Sequence, residues 1–295
     1  MKEKIFCVFF GLFLALVATE IFLRLLGLGY NLTHQTPVDR GADYRILCVG
    51  ESTTWGVGAS NPLSKGYPHQ LEGMLNRTFK EIKVQCFFDQ TIGQNTSEIL
   101  LKLPQYIRKY RPQLIVFMVG ANNWWNMDKS NVLLFNKNPA SRVFLKVLIF
   151  LDKFRVWKLF KSVVLPRFFV KEHWNYFFPS TDSPEAQKLR KEHKEIGYDL
   201  FNEIGEYDMG EMVKICKRNG IKVILCNYPK DSGQSSQKNN AEKFGTPFVD
   251  NYSSFQTLKD PKAYFSTDFW HPNDQGYALV AENIYRCILE NKFIK

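Results

Sequence analysis

The chain has little with which to build a covalent or metal-held scaffold. Its six cysteines, Cys7, Cys48, Cys86, Cys216, Cys226 and Cys287, include no Cys-x-x-Cys pair and no His-flanked ligand spacing. That argues against a disulfide framework or a metal centre. Cys48, Cys86 and Cys226 lie inside apolar, strand-like runs, so the six read as buried free thiols. No metal and no organic cofactor are expected. Acidic residues are outnumbered, 29 against 39 Lys and Arg, a formal net charge of +10. Such an excess suits an anionic partner, a membrane surface or a nucleic acid. No recognised nucleic-acid motif accompanies it, so nucleic acid is not an expected partner. Internal repeats and low-complexity tracts are also missing. With 295 residues, 45% of them hydrophobic and 15% aromatic, the chain can bury a full core as one large domain with appendages.

Polar residues are nearly missing from the beginning of the chain. Lys2 and Lys4 precede an apolar run from Ile5 to Tyr30 that is broken only at Thr19, Glu20 and Arg24. About 20 apolar residues span a bilayer core. Leu16 and Ala18 make a poor cleavage site, and the apolar pattern continues past Glu20. Residues 1–30 therefore read as an uncleaved signal anchor, a single-pass membrane helix, in preference to a removed leader. Lys2 and Lys4 then stay inside, and the rest of the chain is extracytoplasmic. Glu20 and Arg24 are four residues apart and share a helix face, where they can pair.

After a polar linker at 31–43, short apolar runs alternate with helical spacing. Strands are expected at Tyr44–Gly50, Lys83–Asp89, Gln113–Gly120, Lys222–Asn227 and Phe248–Asp250. Helices are expected at Gly66–Phe79, Thr96–Tyr110, about Glu185–Arg218 and Asp274–Leu289. Strands this continuously apolar belong to a parallel sheet covered on both faces. An insert at about 129–182 breaks the alternation. Between Lys129 and Phe178, ten Lys/Arg stand against two Asp/Glu, interleaved with Phe and Trp. Val143–Phe160 has the spacing of one basic amphipathic helix. Two readings stay open for it: docking on a membrane, with Lys146, Lys153, Lys158 and Lys161 facing anionic lipid, or a cap packed on the core.

The first strand ends in Gly50-Glu51-Ser52-Thr53-Thr54, which puts Ser52 at the carboxyl edge of the sheet, where open α/β folds bind ligands. Thr54 stands where a Gly-x-Ser-x-Gly elbow needs glycine, which argues against an α/β-hydrolase. Taken alone, Ser52 reads more readily as a helix N-cap than as a nucleophile. Asp268-Phe269-Trp270-His271-Pro272-Asn273, just before the last helix, changes that balance. A serine nucleophile needs a base, and the base needs an orienting acceptor. Asp268 in a tight turn can reach one ring nitrogen of His271 and leave the other for Ser52. Gly93 can offer a bare backbone N–H, and Asn122 a side-chain amide, to a developing oxyanion.

Gly-Glu-Ser at Ser52, a glycine at Gly93, Gly-x-Asn at Asn122 and Asp-x-x-His at Asp268–His271 resemble the four blocks of the SGNH (GDSL-like) hydrolases. The resemblance covers roughly Tyr44–Leu289. It implies a flavodoxin-like three-layer α/β/α sandwich over 44–295. Ser52 would be the nucleophile, His271 its base and Asp268 the base's partner, with Ser52 N–H, Gly93 N–H and Asn122 forming the oxyanion hole. Two positions depart from the family pattern: Glu51 stands in place of Asp, and Asn123 follows the oxyanion Asn where Asp is usual. The anchor and insert also resemble the layout of membrane-bound relatives that modify surface polysaccharides. The expected activity is hydrolysis of O-acyl esters on a glycan or lipid at the cell surface. The alternatives are an O-acyltransferase on surface polysaccharide and a binding protein that has lost turnover.

Overall fold

The computed structural model describes residues 2–33, 41–124, 126–135, 139–164, 198–230 and 235–294. Five parallel strands form one sheet: β1 (Tyr44–Gly50), β2 (Val84–Phe88), β3 (Leu114–Met118), β4 (Lys222–Cys226) and β5 (Phe248–Val249), in the order β2-β1-β3-β4-β5. This is the flavodoxin-like order, with its switch point at β1 and β3. Leu47 of β1 pairs with Phe87 of β2 on one side and Ile115 of β3 on the other.

Side chains alternate across the sheet and so divide the core. Ile46, Cys48, Val116, Met118, Ile224 and Cys226 face one layer, made by α4 (Tyr67–Thr78) and the closing helix α12 (Asp274–Glu290). Leu47, Val49, Ile115, Phe117, Val223 and Leu225 face the other, made by α5 (Thr96–Tyr110) and α9 (Tyr198–Arg218). Both faces are covered, so the strands have no polar face, as their continuous hydrophobicity requires. The short α2 (Ser52–Trp55) and α3 (Pro62–Lys65) follow β1, α6 (Val132–Phe135) follows β3, and α10 (Ser235–Phe244) and α11 (Asn251–Gln256) stand on either side of β5 in the chain.

α1 (Lys2–Thr33) stands apart. Its stretch Phe6–Gly29, 24 residues of mean hydropathy 2.4 with none of it buried, is long enough to cross a membrane. The helix runs past the expected end at Tyr30. Residues 34–40 of the linker, 165–182 of the insert and the expected helical start at Glu185 lie outside the described residues. Cys7 is exposed on α1, which corrects the reading of all six thiols as buried; the other five are buried and free.

The expected single helix Val143–Phe160 is two: α7 (Pro139–Leu151) and α8 (Arg155–Leu159), with Phe154 in extended backbone between them. The break follows from Asp152, which turns inward and is buried. Its Oδ2 accepts the Met127 backbone N–H at 2.6 Å and its Oδ1 pairs with Lys161. Lys158 lies 3.6 Å from Asp128. Two of the four lysines that the membrane-docking reading turns toward lipid therefore satisfy carboxylates of the protein itself. Leu145 of α7 is buried in a third apolar cluster with Met127, Val132, Leu200 and Ile204.

Candidate active site

β1 delivers Ser52 to the carboxyl edge of the sheet as the first residue of α2. The cap position of that helix is Glu51, which makes no side-chain cap, so Ser52 is not there to close a helix. Its N–H belongs to the first turn, where no intrahelical acceptor exists. Its Oγ lies 2.8 Å from Nε2 of His271, 219 residues away.

The histidine is held by the turn before α12. Asp268 Oδ2 is 2.5 Å from His271 Nδ1, and Oδ1 accepts the backbone N–H groups of Trp270 and His271, each at 2.9 Å, and the Ser266 hydroxyl at 2.7 Å. The turn needs Phe269 at φ +56°, a left-handed conformation uncommon for a bulky residue. Partial burial pushes the Asp268 carboxyl up. The bonds from His271, Ser266 and the two backbone N–H groups more than offset this and hold it at about 2. It is an anion at any ordinary pH, and an anion on Nδ1 selects the tautomer whose Nε2 can accept a proton from Ser52.

Gly93 and Asn122 come together on the loops after β2 and β3. Gly93 has φ +72°, a conformation that favours glycine. Asn122 Nδ2 donates to Gln94 O at 3.1 Å, and Asn126 Nδ2 donates to Gly93 O at 2.6 Å. All five residues singled out in the sequence, Ser52, Gly93, Asn122, Asp268 and His271, thus sit at one edge of the sheet. Among the described residues no group of three or more His, Cys, Asp or Glu could hold a metal ion.

Residues 48–279 match the GDSL-like Lipase/Acylhydrolase family, most of the chain and all five of these positions. The chain belongs to that family. Along its length it is 22% identical to the uncharacterized protein YpmR of Bacillus subtilis, over 98% of this chain and 97% of the relative. In fold it is similar to the lipase/acylhydrolase from Enterococcus faecalis, with a TM-score of 0.50 and 14% identity over 84% of this chain and 96% of that one. It is equally similar to Axe2, an acetylxylan esterase from Geobacillus stearothermophilus, with a TM-score of 0.50 and 16% identity over 85% and 95% of the two chains.

Three supports of this candidate site were not foreseen. Glu51, where the family pattern often has Asp, is buried next to Ser52. Its Oε1 accepts the Gly120 N–H at 2.9 Å, and its Oε2 bonds the Tyr228 hydroxyl, which also lies 3.0 Å from Met118 O. Burial raises the Glu51 carboxyl to about 7, against the lowering effect of those two bonds. Second, Asn123, the other departure, accepts the Thr96 N–H at 2.9 Å. Buried Asp208 of α9 accepts from Thr96, Ser97 and Asn131 at 2.7, 2.6 and 2.6 Å, which fixes the loop bearing Gly93 against the one bearing Asn122. Third, Asp274 accepts Ser60 N–H and Oγ at 2.8 and 2.7 Å, and the Tyr277 hydroxyl donates to Val57 O at 2.6 Å. These bonds tie the segment after Ser52 to the helix after His271. Gly58 lies between them at φ +95°, and a Cβ there would sit 2.7 Å from Pro272 O. Only the departures at Glu51 and Asn123 left a mark in the sequence.

Proposed function

We propose that the protein is a membrane-anchored serine ester hydrolase acting on O-acyl groups of a glycan or lipid at the cell surface. Residues 1–30 form the anchor, 31–43 a linker and 44–295 an extracytoplasmic catalytic domain. The observation that carries the reading is the relay from Ser52 Oγ through His271 to Asp268, at 2.8 and 2.5 Å. Buried packing has no need of such an arrangement at a partly open sheet edge.

In this reading Ser52 Oγ attacks the ester carbonyl carbon and its proton passes to His271 Nε2. The carbonyl oxygen becomes an oxyanion facing Ser52 N–H, Gly93 N–H and Asn122 Nδ2. Collapse breaks the C–O bond, and the leaving alkoxide takes the proton from His271. A water then attacks the acyl-Ser52 ester, gives its proton to His271 and releases the carboxylic acid as Ser52 recovers its proton. Asp268 stays ionised throughout and steadies the imidazolium.

Labelling by a fluorophosphonate probe tests the nucleophile. The wild type is expected to label at Ser52, and Ser52→Ala and His271→Ala are expected not to. Labelling that persists in a folded Ser52→Ala protein overturns the reading. Product analysis on acetylated glycans with sugar acceptors present separates hydrolysis from acyl transfer, since only the second acceptor differs.

A further inference from the structure

Glu20 and Arg24 are the two charges within the apolar stretch Phe6–Gly29 of α1, and both are used by the insert. Arg24 Nε bonds Glu20 Oε1 at 2.6 Å, and its Nη2 donates to Lys153 O at 2.9 Å. Glu20 Oε2 accepts the Val156 N–H at 2.9 Å, in the first turn of α8, and Arg155 Nη1 donates to Leu23 O at 2.7 Å. The Arg155 guanidinium occupies the place that a Cβ on Gly27 would need. The start of α8 is therefore clamped against α1 at the level of residues 20–27, inside the apolar stretch that ends at Gly29. At 1.5 Å rise per residue, Glu20 lies roughly 13 Å along the helix from that end. That is well inside one leaflet of a hydrocarbon core about 30 Å thick.

Next to this clamp the insert carries a row of bare apolar side chains, with exposed Lys146 and Lys153 at its margin. On α7, Val147 is 51% and Phe150 56% exposed, with Val143 and Phe144 beside them, and Phe150 packs edge-on against exposed Phe154 in the turn before α8. The opposite face of α7 is already committed to the third core cluster through Leu145. A helix apolar on both sides, with one side packed on protein, leaves the other for a nonaqueous neighbour. Its continuity with the bare surface of α1 identifies that neighbour as lipid.

We propose that α7 and the start of α8 form an apolar wedge that enters the leaflet crossed by the C-terminal half of α1, to the depth of Glu20. The wedge is held by hydrocarbon contact, in contrast to the attraction between lysines and anionic headgroups that was one of the two readings open in the sequence. Asp152 carries the attachment onward to the Met127 N–H. Asn126, the next residue back, bonds Gly93 O. The loops with Gly93 and Asn122 are thus a short hydrogen-bonded path from lipid, and the site is seated at the bilayer surface, where an ester carried on a lipid or a lipid-linked glycan would meet it.

The inference rests on α1 being a membrane anchor, and the test separates the two. The full chain, with Cys7→Ala to remove its exposed thiol, is reconstituted in phosphatidylcholine bilayers without anionic lipid. Spin labels are attached at Val147→Cys or Phe150→Cys, with Phe13→Cys on α1 and Leu101→Cys on α5 as references. Collision with oxygen relative to a water-soluble nickel chelate is expected to be several-fold higher at 147 and 150 than at 101, and to approach the value at 13. Lipid-like values at 13 with water-like values at 147 and 150 overturn the wedge and leave the anchor standing. Labels at 147 and 150 that meet neither reagent also overturn it, since protein then covers the face. A water-like value at 13 overturns the anchor itself.

Discussion

Replacing Glu51 by glutamine changes one proton site and almost no volume. Glu51 is fully buried and its carboxyl is raised to about 7 from an ordinary value of 4.5. Between those values the folded protein keeps a proton that the unfolded chain has released, so stability falls as pH rises through this window. The contribution is complete below about 4.5 and is lost by the time pH has passed through about 7. At about 1.4 kcal/mol per pH unit, the loss is about 3 kcal/mol. Burial sets the preference for the neutral acid, and the surrounding hydrogen-bond partners can accommodate its proton. Tyr228 has one hydroxyl proton and two oxygen neighbours, Glu51 Oε2 and Met118 O. A protonated Glu51 can donate to Tyr228, which then donates to Met118 O; an ionised Glu51 takes the tyrosine proton and leaves the carbonyl without it. Glutamine reproduces the first arrangement, with Nε2 donating to Tyr228 and Oε1 accepting from Gly120. Denaturant unfolding of the full chain in detergent, at steps from pH 5 to 8, is expected to show wild-type stability falling while Glu51→Gln stays level. The gap should widen in favour of the variant by up to about 3 kcal/mol. Parallel curves for the two proteins would refute a proton held at Glu51.

Asp268→Asn is expected to lower turnover more than a hundredfold in an ester assay without unfolding the chain, because it leaves His271 in place but removes the anion that sets its tautomer; the corresponding change in a serine protease triad costs about 10⁴-fold. Since the Asp268 carboxyl is held at about 2, below its ordinary value, its stabilising contribution is present above about pH 4 and lost as pH falls toward 2. The acid limb of wild-type unfolding should weaken in Asp268→Asn. Asn122→Ala is expected to lower kcat by roughly 10² to 10³ with KM little changed, read from initial rates on a chromogenic acetate ester. Asp152→Ala removes the buried carboxylate that serves both Lys161 and the Met127 N–H, and should cost about 3 to 5 kcal/mol in denaturant unfolding.

The strands were legible because each is a short, mostly apolar run bounded by glycine or charge, as Tyr44–Gly50 is with only Arg45 to interrupt it, and burial on both faces favours that pattern. The site was legible through residues whose chemistry is costly to place at random: a serine at a strand end, and an aspartate three residues before a histidine fixed by proline. The break in the insert was not legible, since the periodicity of Val143–Phe160 continues straight through Asp152. Only Met127 and Lys161, brought near by the fold, turn that carboxylate inward. Glu51 was visible as a departure from the family pattern but not as a buried acid, because its partners Gly120 and Tyr228 lie 69 and 177 residues away. The clamp between Glu20, Arg24 and the insert was hidden for the same reason. Helical spacing pairs the two charges with each other, but nothing in it points to Lys153, Arg155 and Val156.

The bonds from Asp274 to Ser60 and from Tyr277 to Val57 make the approach of His271 to Ser52 depend on the seating of the closing helix α12. That helix packs Tyr277, Val280, Ala281, Ile284 and Ile288, all fully buried, into the core between the sheet and α4. Elements buried in this way open at close to the free energy of global unfolding. Ester hydrolysis should therefore fade in denaturant together with the circular dichroism of the chain, and hydrogen exchange should find the inner backbone amides of α12 protected as long as those of β1 and β3.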